Sequence, residues 1–420
     1  MNLIKTSFFS AITTLIRVAS GFISNKVVAI FAGASGVSIV GAFSNFITIV
    51  LTLANGAINT GVVKYTAEYE EDEEKLKSLF STSIKITIYS SVLIGGILIS
   101  FASFWSNWIF TQKIYEGPIR ILGLTIILYA LNTLLISILN GKKEIKTYTL
   151  VNSVGSFIGL FFTVILVYLY NIEGALYAMV LSQSIVFFIT IFFLLKKTWF
   201  SWGFFNQNFD KTKAIKLSHY SLMAIVSALT VPVSQILLRN IITTKFGVNQ
   251  AGIWQGMMRI SDSYLMIITT SLSTYFLPKL SSIQNNNELR SEIFKGYRMI
   301  IPLVVISCLG IYFLRFVLIN LLFTSDFIEM EKLFYWQFIG DFFKMIAWIL
   351  AYMMLAKSMT KIYIISEIIF SFGYVGLGYF LTSIFELEGA VIAFALNYFF
   401  YFLCMLVIFR KLLFRNKNHL

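Results

Sequence analysis

Residues 171–178 read NIEGALYA, and residues 386–393 read ELEGAVIA. The shared motif sits 215 positions apart, Glu173-Gly174-Ala175 against Glu388-Gly389-Ala390. At the same offset Lys142 and Lys146 fall on Lys357 and Lys361, Tyr148 on Tyr363, Lys64 on Lys279, and Gly41 on Gly256. Most of these matches lie where apolar runs begin or end. The chain reads as two copies of one membrane unit. Transporters use such duplication, binding near the seam between repeats and rocking one half against the other.

Composition agrees. Hydrophobic residues make up 58% of the 420, charged residues only 13%, and the mean hydropathy is +0.80. A soluble chain of this length needs more charge to cover its surface. Apolar stretches of about 20 residues, each enough to cross a bilayer core, occur near 8–32, 40–63, 80–104, 118–140, 147–170, 174–195, 217–243, 250–277, 295–323, 332–356, 362–383 and 388–410. The first is too long and too polar for a cleavable signal, and is expected to remain in the mature protein.

With the N-terminus in the cytoplasm, inner loops and tails hold 22 of the 33 basic residues, and outer loops and span edges hold only Lys113, Arg120, Lys245 and Lys332. That imbalance follows the positive-inside rule. It also accounts for a net charge of +13 through anionic headgroups, with no nucleic acid involved. Six spans per copy bring both halves in from the same side. The expected fold is therefore all-α: twelve transmembrane helices as two six-helix bundles related by a parallel pseudo-two-fold axis. The bundles are placed at 1–200 and 217–420, joined by a cytoplasmic linker at 201–216. The acidic run EYEEDEEK, from Glu68 to Lys75, reads as a solvated inner loop.

Several chemistries lack their residues. There is no Gly-rich loop ending in Gly-Lys-Ser/Thr to cradle ATP. With only His219, His419, Cys308 and Cys404, no metal site, disulfide framework or Cys–His catalyst is expected. No cofactor is expected, and no enzyme activity.

Polar residues within spans carry the functional signal, because charge in hydrocarbon is costly and usually faces a cavity or partner. Residues three and four apart share a helix face. In the second span Asn45, Thr48, Thr52, Asn55 and Asn59 form one stripe. In the eighth span Gln255, Arg259, Asp262, Thr269 and Ser273 do so, and in the tenth Gln337, Asp341, Lys344 and Trp348. Thr360, Tyr363, Glu367, Ser371 and Tyr374 nearly do in the eleventh. Hydrogen bonding between packed helices is one explanation; a water-filled central cavity is the other, and mid-depth charges favour it.

In the first span Ser10, Thr14, Arg17, Gly21 and Ser24 share a face, which places Arg17 in that cavity. Lys26 lies nine residues on, the opposite face at about 100° per residue. Either the helix breaks near Gly21 or Lys26 reaches for the outer interface. Arg239 matches Ser24 in the second copy, so each leading helix offers an arginine. Arg259 with Asp262, and Asp341 with Lys344, are spaced to neutralise each other. Glu367 has no basic neighbour on its own helix and is a candidate proton carrier. A cavity cationic on balance suits a phosphate or diphosphate held by guanidinium forks. Asn, Gln, Tyr and Trp suit sugars.

Three stretches carry a resemblance: AGIWQGMMRISDSYLMIITTSLSTYFLPKLS from Ala251, WQFIGDFFKMIAWILAYMMLAKS from Trp336, and KYTAEY from Lys64. They resemble Wzx-type flippases of the MOP (multidrug/oligosaccharidyl-lipid/polysaccharide) exporter superfamily, most of all the branch that serves lipid III of enterobacterial common antigen. The resemblance implies a twelve-span, MATE-like fold. It implies transport of an undecaprenyl-diphosphate-linked oligosaccharide (lipid III or an O-antigen repeat unit) from the cytoplasmic to the periplasmic leaflet of a bacterial inner membrane. It maps the family's first-helix basic pair onto Arg17 and Lys26, which joins Lys26 to Arg17 and Arg239 as diphosphate ligands. Expected partners are the lipid-linked oligosaccharide, membrane lipids, a polysaccharide polymerase and a chain-length regulator. Two rivals remain at this stage. A cation-coupled multidrug extruder would want an acidic cavity, and a membrane glycosyltransferase or polymerase would want a large outer loop with a catalytic acid.

Overall fold

The computed structural model describes residues 3–272, 276–357 and 359–414. Its helices are α1 (Leu3–Ala54), α2 (Asn59–Glu68), α3 (Glu73–Ser100), α4 (Ala102–Phe110), α5 (Glu116–Gly141), α6 (Ile145–Leu194), α7 (Lys211–Phe246) and α8 (Val248–Ser271). There follow α9 (Leu277–Ser282), α10 (Asn286–Phe313), α11 (Arg315–Leu322), α12 (Phe334–Ala356), α13 (Thr360–Phe385), α14 (Glu388–Ile408) and α15 (Arg410–Phe414). Among the described residues, nine helical segments are long and apolar enough to cross a membrane. Two of them, Ile12–Ala54 and Ile145–Leu194, far exceed the ~20 residues one crossing needs, and each is broken inside, at Gly33 and Asn171. With α8 these make twelve spans.

The duplication is written into the backbone. Asn171 (φ 51, ψ −128) and Glu386 (φ 49, ψ −135) turn the chain the same way ahead of the two Glu-Gly-Ala motifs. A Cβ on Gly174 would stand 1.8 Å from the Leu166 carbonyl oxygen, and one on Gly389 would stand 2.2 Å from that of Leu381. Leu166 and Leu381 are themselves 215 apart. Only glycine lets the incoming helix pass this close to the outgoing one. Gly33 (φ 62, ψ −163) and Gly247 (φ 89, ψ 165) end the first span of each copy in a region essentially closed to other residues.

Two compact units result, Met1–Ile236 and Leu237–Leu420, the boundary falling inside α7. Within each, small residues let helices approach, as membrane packing favours. Gly95 and Gly123 bring α3 against α5, and Gly340 seats on Phe394 and Ala395 of α14. Phe157, Phe161, Phe192, Phe313 and Phe372 are exposed. An apolar exterior over a partly polar interior is the pattern of a protein solvated by lipid.

Two local readings are sharpened. α1 runs unbroken through Gly21; its break is at Gly33. The second-span stripe is interrupted, because Asn55 accepts a hydrogen bond from the Ala57 amide (3.0 Å) and Gly56 and Ala57 take positive φ. Asn59 therefore starts a separate helix, α2. The acidic run is largely exposed, as a solvated loop should be, and is tied down locally: Asp72 caps α3 through the Lys75 amide, Glu70 pairs with Lys143 at 2.6 Å, and Glu73 and Glu74 both reach Lys77.

The segment before α7 lies against α3. Phe204 and Phe205 pack on Phe80. Ser81 donates to the Phe204 carbonyl and accepts from the Gln207 amide, while Lys85 donates to the Gln207 carbonyl at 2.7 Å. Lys85, placed within a span by hydropathy, thus sits where this strap crosses α3.

Candidate functional site

In the first unit the polar open face belongs to residues 34–54 of α1. Phe43, Phe46, Ile47, Ile49 and Val50 are buried. Thr48 is exposed, with Asn45 and Thr52 half-buried. A span turned to lipid would show the reverse, so the open side of this helix is a polar wall. The Thr48 and Thr52 hydroxyls donate to the Ser44 and Thr48 carbonyls (2.9 and 2.8 Å), which satisfies them in a membrane and leaves their oxygens able to accept. Asn55 is buried at the break and Asn59 is half-buried at the head of α2. On residues 3–32 of α1, Arg17 and Gly21 are exposed while Thr13, Ser20 and Asn25 are buried. Lys26 is half-buried, and with no break at Gly21 it remains on the face opposite Arg17.

The second unit holds a buried polar knot. Asp341 is fully buried on α12. Ser261 of α8 donates to its carboxylate at 2.7 Å, Tyr264 of α8 at 2.6 Å and Gln337 at 3.2 Å. Gln337 also donates to Ser261, and the Tyr264 hydroxyl meets the Cys308 sulfur at 3.4 Å. A carboxyl group can be held inside a membrane protein only with such donors supplied.

Lys344 turns to a different partner. It stands 3.6 Å from Asp262 across the α8–α12 contact, with its ammonium near the rings of Trp348, Phe394 and Tyr398. So Asp262 bonds between helices to Lys344, and Asp341 takes neutral donors. Residues three apart on a helix diverge by about 60°, enough to face different neighbours. Arg259 is half-buried and Gln255 buried on α8, with Asp262 the exposed member of that row. Arg239 of α7 is 1% exposed, its Nη1 donating to Asn240 at 3.0 Å. Glu367 is half-buried on α13, within electrostatic reach of Tyr398 and Tyr401. Ser273 and His419 lie outside the described residues.

Sequence spacing missed Ser261, Tyr264 and the environment of Cys308. Ser261 and Tyr264 are themselves three apart, on the face of α8 beside the charged row, so the periodicity was present but lacked a charge to draw notice.

A family model for polysaccharide biosynthesis proteins matches residues 12–332, well over half of the chain. The chain belongs to the polysaccharide biosynthesis protein family. This family member is 30% identical over 368 residues to the Lipid III flippase of Escherichia coli (strain K12), covering 88% of each chain. It has the same identity and coverage with the Lipid III flippase of Shigella flexneri. Among solved structures it is similar to a multidrug resistance MATE family transporter of the MOP superfamily in its inward-facing conformation. There the TM-score is 0.75 at 16% identity, covering 95% of each chain. Likeness at that identity speaks to fold, and the fold is the all-α, multi-pass MATE architecture.

Proposed function

We propose that this chain is a flippase for an undecaprenyl-diphosphate-linked oligosaccharide, of the lipid III or O-antigen repeat-unit kind. It carries the headgroup from the cytoplasmic to the periplasmic leaflet of a bacterial inner membrane by alternating access, with both termini in the cytoplasm. The observation that carries this reading is the polar open face of residues 34–54, in a chain 30% identical to a Lipid III flippase over 88% of its length. A hydrophilic headgroup needs such a wall to cross hydrocarbon, while its polyprenyl tail stays in lipid.

In this reading Arg17, Lys26 and Arg239 hold the diphosphate in turn, Arg239 only once the cycle uncovers it. Asn45, Thr48, Thr52, Asn55, Asn59, Gln255, Arg259, Gln337 and Lys344 supply the sugar contacts or keep their neighbours in place. Asp262, Asp341 and Glu367 serve coupling or helix packing. The six-span halves, residues 1–200 and 217–420 with the 201–216 segment between them, are the moving bodies. A polymerase and a chain-length regulator take the product. No step of this cycle makes or breaks a covalent bond.

The test is transport of a fluorescent lipid-linked oligosaccharide by the full-length protein in proteoliposomes. Wild-type vesicles are expected to flip it. Arg17→Ala is expected to slow flipping about ten- to a hundredfold, the worth of one charge-assisted contact, with membrane insertion unchanged. Wild-type vesicles that do not flip the lipid would sink the reading; Arg17→Ala at full rate would remove Arg17 from it.

A further inference from the structure

The KYTAEY stretch, Lys64 to Tyr69, has no part in the transport path described above. It closes α2, with Tyr69 as the capping residue just past the helix, and the structure surrounds its two tyrosines with ammonium groups. The rings of Tyr65 and Tyr69 stack at 5.7 Å with 20° between their planes. Lys213 of α7 stands 3.9 Å over the Tyr69 ring, Lys216 donates to the Tyr69 hydroxyl at 3.2 Å, and Lys64 lies 5.0 Å from the Tyr65 ring.

Three nearby acids are committed elsewhere. Asp72 pairs with Lys75 at 2.6 Å and Glu70 with Lys143. Asp210 accepts from Ser78 and from the amides of Thr212 and Lys213. Among the described residues no carboxylate comes within ion-pair distance of Lys213 or Lys216, and Glu68, Asp72 and Asp210 act on them only from farther away. Gathering like charges while the nearest acids stand beyond ion-pair distance is unfavourable. A bound anion with several negative oxygens would relieve it, using N–H donors of Lys213 and Lys216.

α7 exposes Ile215 beside these lysines and Leu222 two turns on. An anion attached to an apolar chain would satisfy both features. We propose that Lys64, Lys213 and Lys216, set around Tyr65 and Tyr69, form a capture site for the diphosphate of a polyprenyl lipid at the basic end of the first unit. This rests on the flippase reading and extends it to the step before transport. Two linked phosphates match three ammoniums spread over two stacked rings better than one phosphate does.

The test is limited acetylation of lysines, read residue by residue by mass spectrometry, on the full-length protein in phosphatidylcholine nanodiscs. Farnesyl diphosphate is expected to slow acetylation of Lys213 and Lys216 several-fold and to leave Lys332 unchanged. Farnesyl monophosphate, or phosphatidylglycerol mixed into the disc, is expected to protect them far less. Unchanged rates with the diphosphate, or equal protection by phosphatidylglycerol, overturn the proposal, the latter marking a general lipid contact. In the flipping assay Lys213→Gln/Lys216→Gln is expected to raise the half-saturating substrate concentration several-fold, and Lys213→Arg/Lys216→Arg to restore it. A glutamine pair with wild-type saturation also overturns the proposal. Absence of flipping by the wild type counts against the transport reading alone, since the acetylation experiment judges this site without it.

Discussion

Asp341 shows how a single side chain is kept inside the second unit. Its carboxylate receives Ser261, Tyr264 and Gln337, all polar and none charged. Removing one donor leaves part of a buried acceptor unsatisfied, at a cost of about 1–3 kcal/mol. Tyr264→Phe is therefore expected to lower the thermal unfolding midpoint in detergent, and Tyr264→Phe/Asp341→Leu to recover part of that loss. A single mutant as stable as the wild type would show that the Tyr264 hydrogen bond contributes nothing. Lys344 differs in kind: its ion pair with Asp262 is half open, and the aromatic rings beside it provide most of its shelter. Arg17 and Lys26, on opposite faces of one unbroken helix, cannot both point at one ligand from that helix at the same moment.

At the scale of elements, the turns hold the clearest record of duplication. Gly174→Ala would drive a methyl group into the Leu166 carbonyl and force the flanking helices apart, an overpacking cost of about 1–3 kcal/mol or more. Reduced yield of folded protein is expected for Gly174→Ala and, by the repeat, for Gly389→Ala; normal yields for both would refute the close approach.

The strap before α7 is a second element with a measurable property. The Ser78 hydroxyl holds the Asp210 carboxyl below its ordinary value of 3.8; partial burial works against this, and the amides of Lys213 and Thr212 add to it. A lowered folded pKa means that this docking contributes fully above the ordinary value and is lost as pH falls through the folded one. Pepsin cleavage within residues 199–210, relative to another loop, is expected to accelerate as pH drops below 3.8. In Asp210→Asn that acceleration should vanish, and a pH-dependent rate in the variant would assign the effect to another group.

For the whole molecule the checkable quantity is topology. Single cysteines in place of Lys113 and Lys332, with Cys308 and Cys404 replaced, are expected to react with a membrane-impermeant maleimide on intact cells. Cysteines in place of Lys142 and Lys357 should react only after permeabilisation. Labelling on the reverse sides would invert the orientation and move the basic cluster around Tyr69 to the outer face. The lipid-facing exterior also predicts that loss of lipid, more than change of salt, will limit the stability of the purified protein, because apolar side chains dominate that surface.

Motifs matched 215 residues apart carried the duplication; hydropathy and charge placement determined the class and the number of crossings. Those properties depend on summed transfer energies, which each residue carries wherever its neighbours lie. Helical spacing likewise placed Thr48 among polar residues on one side of its helix, since a rotation of 100° per residue needs no partner. It could not tell that Asn55 would turn back on its own backbone, or that the first span would run unbroken through Gly21. Nor could it choose partners: Lys344 went to Asp262, and Asp341 to Tyr264 and Ser261. Lysines 213 and 216 came to rest on Tyr69, well over a hundred residues earlier in the chain. Such choices depend on distances between helices, and only packing in three dimensions sets those.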